Sequence, residues 1–370
     1  LKIHLQKIKN IAMLTKKILV IYPQVYDTKI AVYQNNSWVF FKTIRFEAQH
    51  GAEGQVVLDQ EVPRTEQILR ELKDNDIELN DIEVVIGRGG LVKPIASGVF
   101  EINEKLKQDL KQGAKMHETN LGGLIADRIA AMIPDAKAYL ADPVVVDEMD
   151  DIARVSGHPM FERKSIFHAL NHKFAGRNYA KSINKQYDEL NLIIAHVGEG
   201  GISVGAHRKG KVVDVNQAYD GEGPFSCTRS GHLPYGDLID VCYSGKYKQA
   251  ELRKMLVHQG GLMAHLGTSN MTIIETRIKE GDQKASFILE AMAYQLAKEI
   301  GAMYIAIEGQ LDSIILSGNM FQSKFFTDQV KHRILKLGNV VISPFVTDMD
   351  ALADNAMMIM KDEARILVYE

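Results

Sequence analysis

The stretch Leu192-Ile-Ile-Ala-His-Val-Gly-Glu-Gly-Gly-Ile-Ser-Val-Gly-Ala-His207 constrains the fold more than any other part of this chain. An apolar strand runs into a glycine-rich turn, emerges as a second strand and continues through Lys209-Gly210-Lys211 into Val212-Val213-Asp214-Val215. Gly198, Gly200 and Gly201 strip side chains from the turn and let backbone N–H groups point outward, which is how a turn cradles phosphate. An ordinary tight hairpin is the plain alternative. A second unit of the same kind argues against it: Lys17-Ile-Leu-Val-Ile21 leads through Tyr22-Pro-Gln-Val-Tyr-Asp-Thr28 into Lys29-Ile-Ala-Val-Tyr33. Two such units, one heading each half, predict a duplicated fold that grips a nucleotide between its halves.

A chain of 370 residues is long for one core and suits two domains of comparable size. The formal net charge of -3 advertises neither a nucleic-acid partner nor an anionic membrane surface. No apolar run approaches the roughly 20 residues that a membrane-spanning helix needs, and no signal-peptide pattern opens the chain. Cys227 and Cys242 are too few for a disulfide framework or a zinc site, so a reducing, cytoplasmic setting is expected. The chain opens on Leu1, and the segment to Ala12 does not share the strand pattern that begins at Lys17, so Met13 is read as the natural start.

Strand-like and helix-like segments alternate, which predicts an α/β protein. The first half reads as strands at 17–22, 29–34 and 38–45, a helix near 64–75, and a strand at 82–86. Next come the Gly87-Arg88-Gly89-Gly90 turn, a helix through 118–132 and a strand at 137–141. The second half repeats the logic: strands at 191–196, 202–207 and 211–215, a helix at 284–307, a strand at 312–316, a helix at 323–335 and a strand at 339–343. In the long helix, Ile288, Met292, Leu296, Ile300, Met303 and Ile307 form one apolar stripe, its methionines read as core filler. No low-complexity linker divides the halves, so a hinge is expected near 145–165.

Several motifs add up to a resemblance. They are Val84-Val-Ile-Gly-Arg-Gly-Gly-Leu-Val-Lys-Pro-Ile95, Asn120-Leu-Gly-Gly123, Ala141-Asp-Pro-Val-Val-Val-Asp147 and Arg163-Lys-Ser-Ile-Phe-His-Ala-Leu-Asn171. Further along come Asp220-Gly-Glu-Gly-Pro-Phe225, Arg229-Ser-Gly231 and Gly236-Asp237. In this order, over nearly the whole chain from Lys17, they resemble the acetate, propionate and butyrate kinase family of the sugar kinase–Hsp70–actin superfamily. The resemblance implies a two-domain duplicated actin-like (ribonuclease H-like) fold with a nucleotide cleft between the domains. The first domain is expected over 16–160, with a C-terminal helix at about 351–368 packing back on it, and the second over 161–350. It also implies phosphoryl transfer from ATP, with Mg2+, to butyrate or another short-chain carboxylate, giving ADP and an acyl phosphate. A homodimer is the usual assembly of such a family.

Such chemistry brings anionic groups together, so cations and hydrogen-bond donors are indispensable. By resemblance, Arg88 and Arg229 hold the carboxylate and the transferring phosphoryl group, and glycine neighbours at both argue for close approach to a ligand. His168 resembles the histidine that steadies the phosphoryl group; His172, four residues on, shares its expected helical face, and no carboxylate or cysteine pattern supports a zinc pair there. His117 resembles a further substrate-side histidine, with a helix-start role as the alternative. Asp142, at a strand end before Pro143, resembles an aspartate that positions magnesium or the attacking carboxylate. On the nucleotide side the resemblance points to Lys29, His196, Gly198, Gly200, Gly201, Ser203, Gly318 and Asn319, with Asp348 as an acidic group near the metal. Val144 to Val146 and Pro94-Ile95 supply apolar surroundings suited to a short aliphatic acid.

The departures from the family lie on that nucleotide side. Where relatives read Asn-Pro-Gly-Ser-Thr-Ser-Thr-Lys, this chain has Tyr22-Pro-Gln-Val-Tyr-Asp-Thr-Lys29. Glu199 stands as an extra residue in the second turn, and Phe345-Val346 replace a Gly-Glu pair. A carboxylate about 4 Å from a phosphate oxygen costs several kcal/mol at intermediate dielectric. Weak ATP affinity and slow acyl phosphate formation are therefore expected, with Lys29 pairing a carboxylate instead of a phosphate. Two readings stand: an active short-chain fatty acid kinase, and an impaired paralogue that binds acyl ligands or partners an intact kinase as a heteromer.

Overall fold

The run Ile18-Leu-Val-Ile21 has no polar face, and it becomes the inner strand β1 (Lys17–Pro23), flanked on both edges by other strands. The computed structural model describes residues 16–35, 37–46, 55–112, 117–198, 201–343 and 347–370. From β1 the chain turns back antiparallel into β2 (Asp27–Gln34) and again into β3 (Ser37–Arg45). It then crosses to β4 (Ile82–Gly87), parallel to β1, by way of helix α1 (Glu61–Asp74). After β5 (Val99–Glu101) and helix α2 (Leu121–Ala130), strand β6 (Lys137–Ala141) lies parallel to β4.

Helix α3 (Ala169–Ser182) leads into a second meander of β7 (Asn191–Gly198), β8 (Gly201–Arg208) and β9 (Lys211–Val215). Helix α4 (Gln283–Ala306) crosses over to β10 (Ser313–Ser317), parallel to β7, and α5 (Lys324–Ile334) to β11 (Val340–Ser343), parallel to β10. The two sheets are separate. With β12 (Ile366–Leu367) at one edge, their spatial orders, β12-β5-β6-β4-β1-β2-β3 and β11-β10-β7-β8-β9, contain the same arrangement twice: a three-stranded meander whose first strand carries two further parallel strands. This is the two-domain actin-like fold that the sequence implies.

Two compact units divide the chain. One comprises residues 1–146 and 347–370, the other Asp147–Val346. The second builds its core between its sheet and α4 and α5, with Met292, Leu296, Ile300 and Met303 wholly or nearly buried. The stripe on α4 is the expected one, except that Leu289 occupies the core where Ile288 is only partly covered. Both methionines pack as filler. In the first unit, helix α6 (Asp348–Met360) packs on β1 and β4.

The sequence pattern carries this last helix to 368, and the structure stops it at Met360. Asp362 adopts a left-handed φ of 57°. The Asp362 and Glu363 amides then donate to the Ile359 and Met358 carbonyls at 3.0 and 2.8 Å, a Schellman closure with aspartate in glycine's usual place. The freed tail forms β12 (Ile366–Leu367) beside β5, and Tyr369 enters the core against Phe100. Among the described residues, no helix is long and apolar enough to cross a membrane.

Candidate active site

In the first unit the motif residues gather at one end of the sheet. β4 and β6 are neighbours in parallel register, Gly87 opposite Leu140, so Arg88 and Asp142 leave the sheet at the same edge. Glycine is required at the crossing with α2: a Cβ on Gly87 would lie 2.1 Å from the Gly122 carbonyl oxygen, and one on Gly122 would lie 2.3 Å from that of Arg88. The Arg88 turn is thus pressed onto the Asn120-Leu-Gly-Gly123 helix start, and the Asn120 side chain accepts from the Leu91 amide at 2.8 Å. The Arg88 guanidinium lies 4.4 Å from the centre of the Tyr22 ring and forms no ion pair among the described residues. Tyr22, which stands where relatives carry an amide, is a platform for this arginine.

Asp142 is almost wholly buried, in a left-handed conformation with φ of 38°. Its Oδ1 accepts from Ser97 Oγ at 2.6 Å and from the Gly98 amide at 2.9 Å. Those bonds hold the carboxylate in one orientation. His117 Nδ1 accepts from the Thr119 amide at 3.2 Å, capping the short 3-10 turn before α2.

The Tyr22–Thr28 loop is organised from beneath by a residue that no sequence motif marks. Arg64, on α1, is 1 % exposed. Its Nη1 donates to the Asp27 carbonyl and to Thr28 Oγ1, both at 2.7 Å, and its Nη2 to the Gln24 carbonyl at 2.9 Å. Nε and Nη2 also donate to Gln60 Oε1, and Phe46 stacks on the guanidinium at 4.3 Å. Burial lowers its pKa to about 10, with Glu118 and Asp27 opposing the shift, so it stays charged at neutral pH. Lys29, on β2, forms no ion pair among the described residues, so the carboxylate partner expected for it is not found there.

In the second unit, β7 and β8 pair as far as Gly198 opposite Gly201. Glu199 and Gly200 lie outside the described residues, as do Phe345 and Val346. Gly201 has φ of 122°, and a Cβ there would stand 2.7 Å from Arg229 Nη1. Arg229 therefore lies directly on the hairpin end, donating to the Ala218 carbonyl and stacking 5.1 Å from the Tyr219 ring. It borders a cavity of about 290 Å³ shared with Ile202, Tyr219, Pro224, Leu238 and Val257. Gly318, with φ of 104°, passes so close to β7 that a Cβ would meet the Val197 carbonyl oxygen at 2.3 Å; Asn319 beside it is exposed. Asp348 stands in the first turn of α6, on the first unit.

His168 is the residue capping α3 rather than a member of it, yet it and His172 meet at one atom. Ser203 Oγ lies 2.8 Å from His168 Nδ1 and 2.9 Å from His172 Nε2. Ser203 is fully buried, its hydroxyl engaged by these rings. His196 sits inside β7, with Nε2 3.0 Å from Asn171 Nδ2 and Nδ1 3.2 Å from Ser317 Oγ; its ring centre is 4.8 Å from that of His168. Asn171 and His207 complete this cluster beyond the residues expected from sequence. The signal was present: Ser203, Gly205 and His207 alternate along β8, which puts them on one face.

A meander-plus-parallel sheet built twice, with a glycine turn set against an arginine in each copy, defines a protein of the duplicated actin-like fold. Residues 158–369 match the acetokinase family, and the chain belongs to it. The chain is 44% identical over 354 residues to a probable butyrate kinase of Bacteroides thetaiotaomicron, covering 96% of this chain and 100% of that one. Its fold is similar to that of Porphyromonas gingivalis acetate kinase, with a TM-score of 0.76 at 18% identity over 93% of this chain and 100% of the other. It is also similar to a propionate kinase of Francisella tularensis, with a TM-score of 0.70 at 18% identity over 92% and 98% of the two chains. The protein is a carboxylate kinase by family.

Proposed function

We propose that the protein phosphorylates butyrate, or a short-chain acid close to it, with ATP as donor and Mg2+ as metal. The observation that carries this reading is Arg88: a guanidinium on a glycine turn, held over an aromatic ring and without an ion pair among the described residues. A cation placed in that way is suited to a carboxylate. Arg229, laid on Gly201, serves the transferring phosphoryl oxygens, and His168 donates to them. Asp142, already oriented by Ser97 and Gly98, positions the attacking acid or the metal. The bare backbone at Gly198, Gly201 and Gly318 fits phosphate, and Asp348 offers a carboxylate for Mg2+; ATP supplies the phosphoryl group.

Hydroxylamine trapping with butyrate and magnesium-ATP tests the reading. Acyl hydroxamate should form, and Arg88→Ala and Arg229→Ala should each lower kcat/KM by 10-fold or more, about 1.5–3 kcal/mol for a charge-assisted contact. Hydroxamate at background level, with butyrate still bound, would favour the second reading of an acyl-ligand binder. The observation behind that second reading is the Tyr22–Thr28 loop, whose carbonyls are engaged by Arg64 and whose first residue supports Arg88.

A further inference from the structure

The buried histidines continue beyond His168. His172 Nδ1 lies 3.1 Å from His207 Nε2, and His207 Nδ1 lies 2.5 Å from the hydroxyl of the half-buried Tyr187. With the two contacts at Ser203, an unbroken series of hydrogen bonds runs from Tyr187 through His207, His172 and Ser203 to His168 Nδ1. Gly205 makes room for it: a Cβ there would stand 3.1 Å from His172 Nδ1 and 3.2 Å from His207 Nε2.

Burial is the main cause that holds both His172 and His207 well below the usual histidine range, and the cation of Lys173 adds to it at both rings. Both are neutral at neutral pH. A neutral imidazole has one N–H and one lone pair, and a hydroxyl has one hydrogen. Each imidazole therefore passes on the direction of the bond before it, and the buried Ser203 hydroxyl, once it accepts from His172, has His168 Nδ1 as the acceptor for its one hydrogen. A phenol O–H is a better donor to an imidazole nitrogen than a neutral imidazole N–H is to a phenol oxygen, so the series starts at Tyr187. Tyr187 donates to His207 Nδ1, His207 Nε2–H to His172 Nδ1, His172 Nε2–H to Ser203, and Ser203 to His168 Nδ1.

We propose that Tyr187, His207, His172 and Ser203 are positioning residues that fix the tautomer of His168, leaving its hydrogen on Nε2. The proposal rests on the reading that His168 donates to the phosphoryl group. In the opposite arrangement Nε2 would present a lone pair to an anion. No proton is transferred: the series sets which nitrogen carries the hydrogen and how the ring is turned.

The test uses full-length protein with 15N-labelled histidine, whose long-range proton–nitrogen correlations report the tautomer of each ring. His168, His172 and His207 should all carry the hydrogen on Nε2. Tyr187→Phe, which removes only the hydroxyl and keeps the ring against Gly176, should mix the tautomers at all three. Ser203→Ala should disconnect His168 alone, with kcat falling about 10-fold and KM for acid and ATP moving less than about 2-fold. Hydrogen on His168 Nδ1 in the unaltered protein, or tautomers unmoved by Tyr187→Phe, would overturn the proposal. His168→Ala separates it from the reading beneath: full turnover there would overturn both. Lost turnover in His168→Ala with unmoved tautomers in Tyr187→Phe would overturn the proposal alone.

Discussion

Arg64 shows how one side chain can replace a loop's missing sequence logic. Its buried guanidinium donates to the Gln24 and Val25 carbonyls of the Tyr22–Thr28 turn and joins the Gln24 amide at the Asp27 carbonyl. Arg64→Met should therefore cost about 2–4 kcal/mol, because several buried acceptors lose a charged donor, and urea unfolding would read it. Arg64→Lys should recover only part, because an ammonium cannot span the same fork. The sequence could not announce this residue: an arginine four positions into a helix reads as a solvated one. Arg88 and Asp142 were legible because each follows a strand and stands beside glycine or proline. The alternation on β8 marks His207 as sharing a face with Ser203, but not its partner His172, which lies 35 positions earlier, and the spacing of His168 and His172 suggests a metal pair before a hydrogen-bonded series.

At the scale of elements, long buried strands and the amphipathic α4 were readable because their periods persist over many residues. The three-residue β5 and two-residue β12 were not, for they hold too few residues to show a period. The helices between 235 and 279 were missed for the same reason, each being ten residues or shorter. Helix α4 also carries a titration. Glu299 is raised from 4.5 to about 7, chiefly by burial and then by Glu222, with Arg163 opposing. Below pH 4.5 the group is protonated whether folded or not, and it contributes nothing. Between 4.5 and about 7 the unfolded chain ionises first, so stability falls as pH rises; above about 7 the loss is complete. Glu299→Gln should stabilise the protein above about pH 7 by up to about 3 kcal/mol and flatten that window, as chemical denaturation at several pH values would show.

For the whole molecule, the two units differ in how the chain builds them. The second is one uninterrupted segment, Asp147–Val346, with its own sheet and core. Expressed alone it should fold and melt in a single cooperative transition by circular dichroism. The first unit needs residues 347–370, whose Leu352, Ala356 and Tyr369 are buried. Truncation after residue 346 should therefore abolish its transition while sparing the other. Failure of the isolated segment to fold would show that its core is insufficient by itself.

This divided first unit has a consequence for synthesis. A ribosome makes β1 to β6 early, then the whole of the second unit, and only at the end α6, β12 and Tyr369. The unit whose strands are made before the second unit is thus finished after it. Until residues 347–370 emerge, the surfaces of β1 and β4 that α6 covers stay open to other chains. Nascent copies stalled near residue 346 should be the ones that chaperones retain.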